Sequence, residues 1–129
     1  MTTVFLSVAA GGAIGASLRF LVVRWAGHVL GLAFPYGTLI VNVAGSLVMG
    51  VAAVMMMERF PGSWGRFSPF LMTGILGGFT TFSAFSLDAL FLIERGRNLA
   101  AASYIGGSVA LSVLGLWAGL TLARGVWGP

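Results

Sequence analysis

The stretch Thr73-Gly74-Ile75-Leu76-Gly77-Gly78-Phe79-Thr80-Thr81-Phe82-Ser83-Ala84-Phe85-Ser86 carries no charge, yet three glycines and five hydroxyl groups interrupt its apolar side chains. It lies inside a longer apolar run, roughly Phe70 to Ile93. That run is long enough to cross a hydrocarbon layer about 30 Å thick, which takes about 20 residues of helix. Adjacent glycines followed by two β-branched threonines are poor helix formers, and their place near the middle of the run predicts local unwinding at the bilayer centre. Backbone polar groups in lipid must be satisfied within the protein. An interruption is therefore admissible only where it is buried or lines a cavity, and there its freed carbonyls can coordinate a hard cation such as Na⁺. The same glycines can equally form a packing notch, and spacing alone leaves both readings open. Phe82 and Phe85 follow at i, i+3. They can pack as plain apolar rings or turn their electropositive edges toward an anion.

Three further runs of this kind flank the first, roughly Val4 to Trp25, Tyr36 to Met57 and Leu99 to Leu122. The chain has 129 residues, of which 58% are hydrophobic and 8% charged, and its mean hydropathy is +1.01. Soluble domains carry about a quarter charged residues, so there is too little ionisable surface here to hold a globule in water. The expectation is an all-α integral membrane protein: one domain, residues 1–129, with four transmembrane helices per subunit, the third broken at the midplane. The first run is kept as a span rather than a signal peptide, because no basic residue precedes it and no A-x-A pattern follows it before Arg19. A net charge of +4 arises from seven scattered arginines without a lysine, which makes no basic stripe and excludes nucleic acid as a partner. With no cysteine, disulfide frameworks and thiolate chemistry are excluded.

For an N-terminus-in arrangement, Arg59, Arg66 and Arg124 fall inside, and Arg19, Arg24, Arg95 and Arg97 outside. Such a balance gives the positive-inside rule nothing to act on. One reading is that copies insert both ways and pair antiparallel, with a two-fold axis in the membrane plane; the other is a single orientation with weak bias. Small residues at four-residue spacing, Gly11 and Gly15, Ser46 and Gly50, Gly74 and Gly78, Gly115 and Gly119, predict close helix packing. Four short helices enclose little volume, so oligomerisation is expected.

Few polar side chains break the apolar pattern. Thr38, Asn42 and Ser46 share one face of the second span, with an amide at its centre. Tyr104, Ser108 and Ser112 place three hydroxyls along a stripe about 12 Å long on the fourth. Each group can line a polar path or bond to its own neighbourhood, serines commonly to the carbonyl at i−4. Arg19 can snorkel to an interface or concentrate anions at a pore mouth. His28 is expected in a loop, and without Cys or clustered acids it makes no metal site.

Taken together, the blocks Gly11 to Phe20, Pro35 to Asn42 with Gly45-Ser46, Thr73 to Ser86, and Tyr104 with Ser108 and Ser112 resemble the Fluc/CrcB family of fluoride channels over nearly the whole chain. Gly77 to Ser83 with Phe85 is the most specific of them. The resemblance implies an antiparallel, dual-topology homodimer in the cell inner or plasma membrane, with two pores that conduct fluoride passively out of the cell. It implies that Phe82 of one subunit and Phe85 of the other face one pore beside Asn42. It further implies that carbonyls of Gly77 and Thr80 from each subunit hold a structural Na⁺. Arg19 then belongs to a vestibule, and Tyr104, Ser108 and Ser112 to the polar track; Thr38, on the Asn42 face, is a further candidate for the anion-binding path. Leu116 and Asp88 depart from residues found in some members. Fluoride is tightly hydrated and enters hydrocarbon only where donors such as amides and hydroxyls replace its water.

Two other classes share the four-span outline. A small proton-coupled exporter needs a buried acid in its first span, and this one has none. A structural subunit of a larger complex would use its polar residues only to bind helices. No Ser/His, Cys/His, paired-Asp or HExxH constellation points to an enzyme.

Overall fold

The computed structural model describes residues 1–128. Helix α1 (Thr2–Leu30) continues past Trp25, since nothing in residues 26–30 breaks a helix, and it ends at Gly31, whose φ of +86° is left-handed. His28 therefore sits in the last turn of α1 rather than in a loop, where a basic side chain complements the C-terminal end of the helix dipole. Helix α2 (Tyr36–Ala53) runs on into a π-helical segment, Val54–Arg59. A 3₁₀ turn (Gly65–Phe67) leads to a second π-helical segment, Pro69–Leu76, and the single turn α3 (Gly77–Phe79). Helix α4 (Ser83–Glu94) follows, then α5 (Asn98–Trp127). Residues 80–82 lie outside the helical segments, and Thr80 is extended, with φ −83° and ψ 159°.

Among the described residues, four helical stretches are long and apolar enough to span a membrane: Thr2–Leu30, Tyr36–Arg59, Gly65–Glu94 and Asn98–Trp127. Each outlasts the apolar run that announces it, because a helix extends through the interface after the hydrocarbon ends. The outer surface is strongly apolar: Phe5, Phe20, Leu32, Trp117 and Val126 are all exposed. Bare in water, such a surface would drive aggregation; against lipid it needs no cover.

Glycine sets the helix packing. The Gly11/Gly15 pair of α1 lies against the third stretch, Gly11 on Gly74 and Gly15 on the backbone of Ile75 and Phe79. A methyl added at Gly74 would stand 2.9 Å from the Gly11 Cα, and one at Gly78 2.8 Å from the Gly12 carbonyl oxygen. On the other side of the bundle, Gly50 of α2 meets Gly119 of α5, where an added methyl at Gly119 would lie 3.2 Å from the Gly50 Cα. Glycines thus let the backbones approach closely at both contacts, the arrangement that lets dispersion act between helices without a hydrophobic drive. The closest partnerships are α2 with α5 and α1 with Pro69–Leu76. Phe85, Ala89, Leu92, Ala101 and Tyr104 form a core cluster between α4 and α5, covered by Phe34, Leu39 and Ala100. At the ends, Arg124 grips Glu58 through two hydrogen bonds of 2.6 and 3.1 Å, and the Arg97 guanidinium donates to the Ala33 carbonyl.

Candidate functional site

Ending α3 at Phe79 releases backbone groups that a continuous helix would have paired. Thr81 is met by Asn42: its N–H donates to Asn42 Oδ1 at 2.8 Å, and its carbonyl accepts from Asn42 Nδ2 at 3.0 Å. The Thr81 hydroxyl accepts from the Ala84 N–H at 3.2 Å, satisfying one of the free donors in the first turn of α4. Arg19 Nε donates to the Gly78 carbonyl at 3.0 Å, which places Arg19 at the interruption rather than at a distant interface. Thr80 keeps its N–H and its hydroxyl on the Leu76 carbonyl, at 3.1 and 3.0 Å.

Beside the interruption runs an open groove of about 550 Å³, lined by Asn42, Ser46, Gly77, Thr80, Phe82 and Phe85, with Ser108, Ser112 and Leu116 along α5. Seven of the residues expected to matter therefore share one surface. Gly77 has no side chain, so what it offers the groove is backbone. The two phenylalanines differ in setting: Phe82 is 78% exposed and Phe85 9%, although their ring centroids are only 5.6 Å apart.

Ser108 is the unusual hydroxyl. It is 4% exposed, and its Oγ has no hydrogen-bond partner among the described residues. Ser17, Ser86 and Thr121 each donate to the carbonyl four residues earlier, at 2.7, 3.0 and 2.9 Å. Ser108 forgoes that bond, and an unmade bond in a buried place costs about 1–3 kcal/mol. The Asn42 amide also keeps one N–H free after serving Thr81.

Thr38 and Tyr104 lie elsewhere. Both donate to Asp88 Oδ2, Thr38 at 2.8 Å and Tyr104 at 3.2 Å. Tyr104 is 1% exposed and packs against Phe85 and Phe34, with centroids 5.2 and 5.5 Å away. Thr38 and Asp88 line a second, smaller cavity of about 240 Å³, together with Arg95. Spacing joins Thr38 to Asn42, and Tyr104 to Ser108, on common helix faces; in the fold both hydroxyls are instead taken up by Asp88, and neither Thr38 nor Tyr104 lines the groove. Thr81 was missed as a site residue. Its signal was available, since a break in a helix demands partners and Asn42 is the one side-chain amide within the predicted spans. Among the described residues no cluster of three or more His, Cys, Asp or Glu could hold a metal.

A bundle of four spans with a polar groove at an interrupted helix defines a multi-pass membrane protein with a hydrated or ion-binding path. Residues 6–120 match the family described as "CrcB-like protein, Camphor Resistance (CrcB)", and the chain belongs to that family. Similar relatives include a protein of Cereibacter sphaeroides, 54% identical over 97% of this chain and 98% of its own length, named fluoride-specific ion channel FluC. Proteins of the same name in Rhizobium etli and Rhizobium meliloti are 52% and 50% identical over 92% of this chain and 94% of their own lengths.

Proposed function

We infer that this chain is a fluoride-selective passive channel, without enzymatic activity, that lets the anion leave the cell down its electrochemical gradient through the inner or plasma membrane. The observation that carries the reading is the buried, unpartnered Ser108 hydroxyl on a groove that Asn42, Phe82 and Phe85 also line. A fluoride ion gives up its hydration only to donors, and here a hydroxyl and an amide proton are left without other employment. The relatives, similar over nearly their whole length, carry the name of fluoride channels.

The groove is open along one side, and Phe82 stands exposed at its edge. A second copy, inserted antiparallel, closes it; two-fold symmetry then makes two pores, each with Phe82 of one subunit and Phe85 of the other. Residues 80–82 fall near the middle of the 30-residue stretch Gly65–Glu94, which supports an interruption near the bilayer midplane, and in the proposed dimer it sits beside the two-fold axis. The carbonyls of Gly77 and Thr80 accept no hydrogen bond among the described residues, and both residues line the groove. Such bare oxygens fit a hard cation, and Na⁺ held there offsets their partial negative charge beside an anion path.

The test is efflux from liposomes that contain only the purified protein, with a potassium ionophore to balance charge. Fast loss of fluoride with negligible loss of chloride is expected. No efflux of either anion from folded, dimeric protein overturns the reading and favours a structural subunit.

A further inference from the structure

In a continuous helix each carbonyl accepts from the N–H four residues on. The Gly77 carbonyl would therefore take the Thr81 N–H, and the Gly78 carbonyl the Phe82 N–H. Neither bond exists. The Thr81 N–H goes to Asn42 Oδ1, and the Gly78 carbonyl is taken by Arg19 Nε. The Thr81 carbonyl, whose helical donor would be the Phe85 N–H, is taken by Asn42 Nδ2. Side chains from α1 and α2 thus decide which oxygens of the interruption are consumed. Gly77 and Thr80, both on the groove, keep theirs bare.

We propose that Asn42 is the positioning residue for the cation-binding carbonyls: by holding the Thr81 N–H on its own Oδ1, it prevents that N–H from closing back onto the Gly77 carbonyl. Arg19 supports the selection by occupying Gly78. This assignment rests on the sodium reading given above and adds a task for Asn42 besides any contact with the anion. Cation affinity and anion passage are then coupled through one amide, whose Oδ1 shapes the cation site and whose spare N–H faces the groove.

The full-length protein, purified in detergent, is titrated with NaCl against N-methylglucamine chloride at constant ionic strength, and the thermal midpoint is read from its four tryptophans. Wild type gains stability with sodium and saturates. Asn42→Leu, which leaves the Thr81 N–H free to turn back to Gly77, needs about tenfold more sodium for half the gain. Asn42→Asp keeps an acceptor for that N–H and stays within about threefold of wild type, whatever it does to fluoride flux. A purely packing role would lower the midpoint of Asn42→Leu in the absence of sodium and leave its sodium requirement alone; that result overturns the proposal. Wild type indifferent to sodium overturns the cation reading itself, and the proposal with it. Where Asn42→Leu does not fold, carbonyl ¹³C labelling of glycine in wild type decides. Sodium must move the Gly77 resonance and spare that of Gly78, and equal movement of both refutes the proposal.

Discussion

Tyr104 gives its hydroxyl proton to Asp88 across 3.2 Å, while Ser108, four residues on along the same helix face, has no hydrogen-bond partner among the described residues. A stripe of three hydroxyls read along α5 is therefore divided. Ser108 and Ser112 border the groove, and Tyr104 braces α4 against α5. Removing the phenolic hydroxyl with Tyr104→Phe should cost about 1 kcal/mol of stability, in the range of hydrogen bonds between membrane helices. A double-mutant cycle with Asp88→Asn, read by unfolding in detergent, should give a coupling energy of that order. Additive effects would show that the bond contributes nothing.

Ser108→Ala should move stability and transport in opposite directions. The substitution deletes a buried polar atom without a partner, so the midpoint is unchanged or rises by about 1 kcal/mol equivalent, while fluoride flux falls about tenfold. Parallel loss of both would mark Ser108 as a packing residue.

The two rings should also separate. Phe85 belongs to the core cluster and Phe82 stands in the open. Phe85→Leu should lower both stability, by about 1 kcal/mol, and fluoride flux. Phe82→Leu should lower flux alone, with the dimer intact by size-exclusion chromatography. Unchanged flux in both variants removes the rings from the mechanism.

Gly15→Ala should destabilise the fold by at least about 1–3 kcal/mol, since the added methyl meets the Ile75 carbonyl and the backbone of Phe79. Gly12→Ala, whose methyl has nothing within 4 Å, is the control. It should gain up to about 1 kcal/mol from helix propensity. Thermal melts of the two variants side by side make the comparison.

Much of this was legible because lipid leaves the sequence few choices. Apolar runs had to be helices, and glycines at four-residue spacing had to be contacts. The grouping of Asn42, Phe82, Phe85, Ser108 and Ser112 followed from helical periodicity joined to a family resemblance. Partners separated by many residues were not legible. Nothing local tells that Thr38 reaches Asp88, 50 positions away, because tertiary packing selects that pair. Helix ends were equally hidden, since hydrophobicity reports the thickness of hydrocarbon and a helix stops only at a residue such as Gly31. The π-helical turns of Pro69–Leu76 have no local signature in the sequence that we can identify.

The glycine seams join the first span to the third and the second to the fourth. Consecutive spans, by contrast, touch less extensively. During biosynthesis, then, no hairpin leaving the ribosome contains a finished seam: the small-residue face of the second span waits in lipid until the last span has been made. Each copy must complete its threading before it can tighten, so a chain cut short before α5 would present that waiting face to proteases and to other membrane helices.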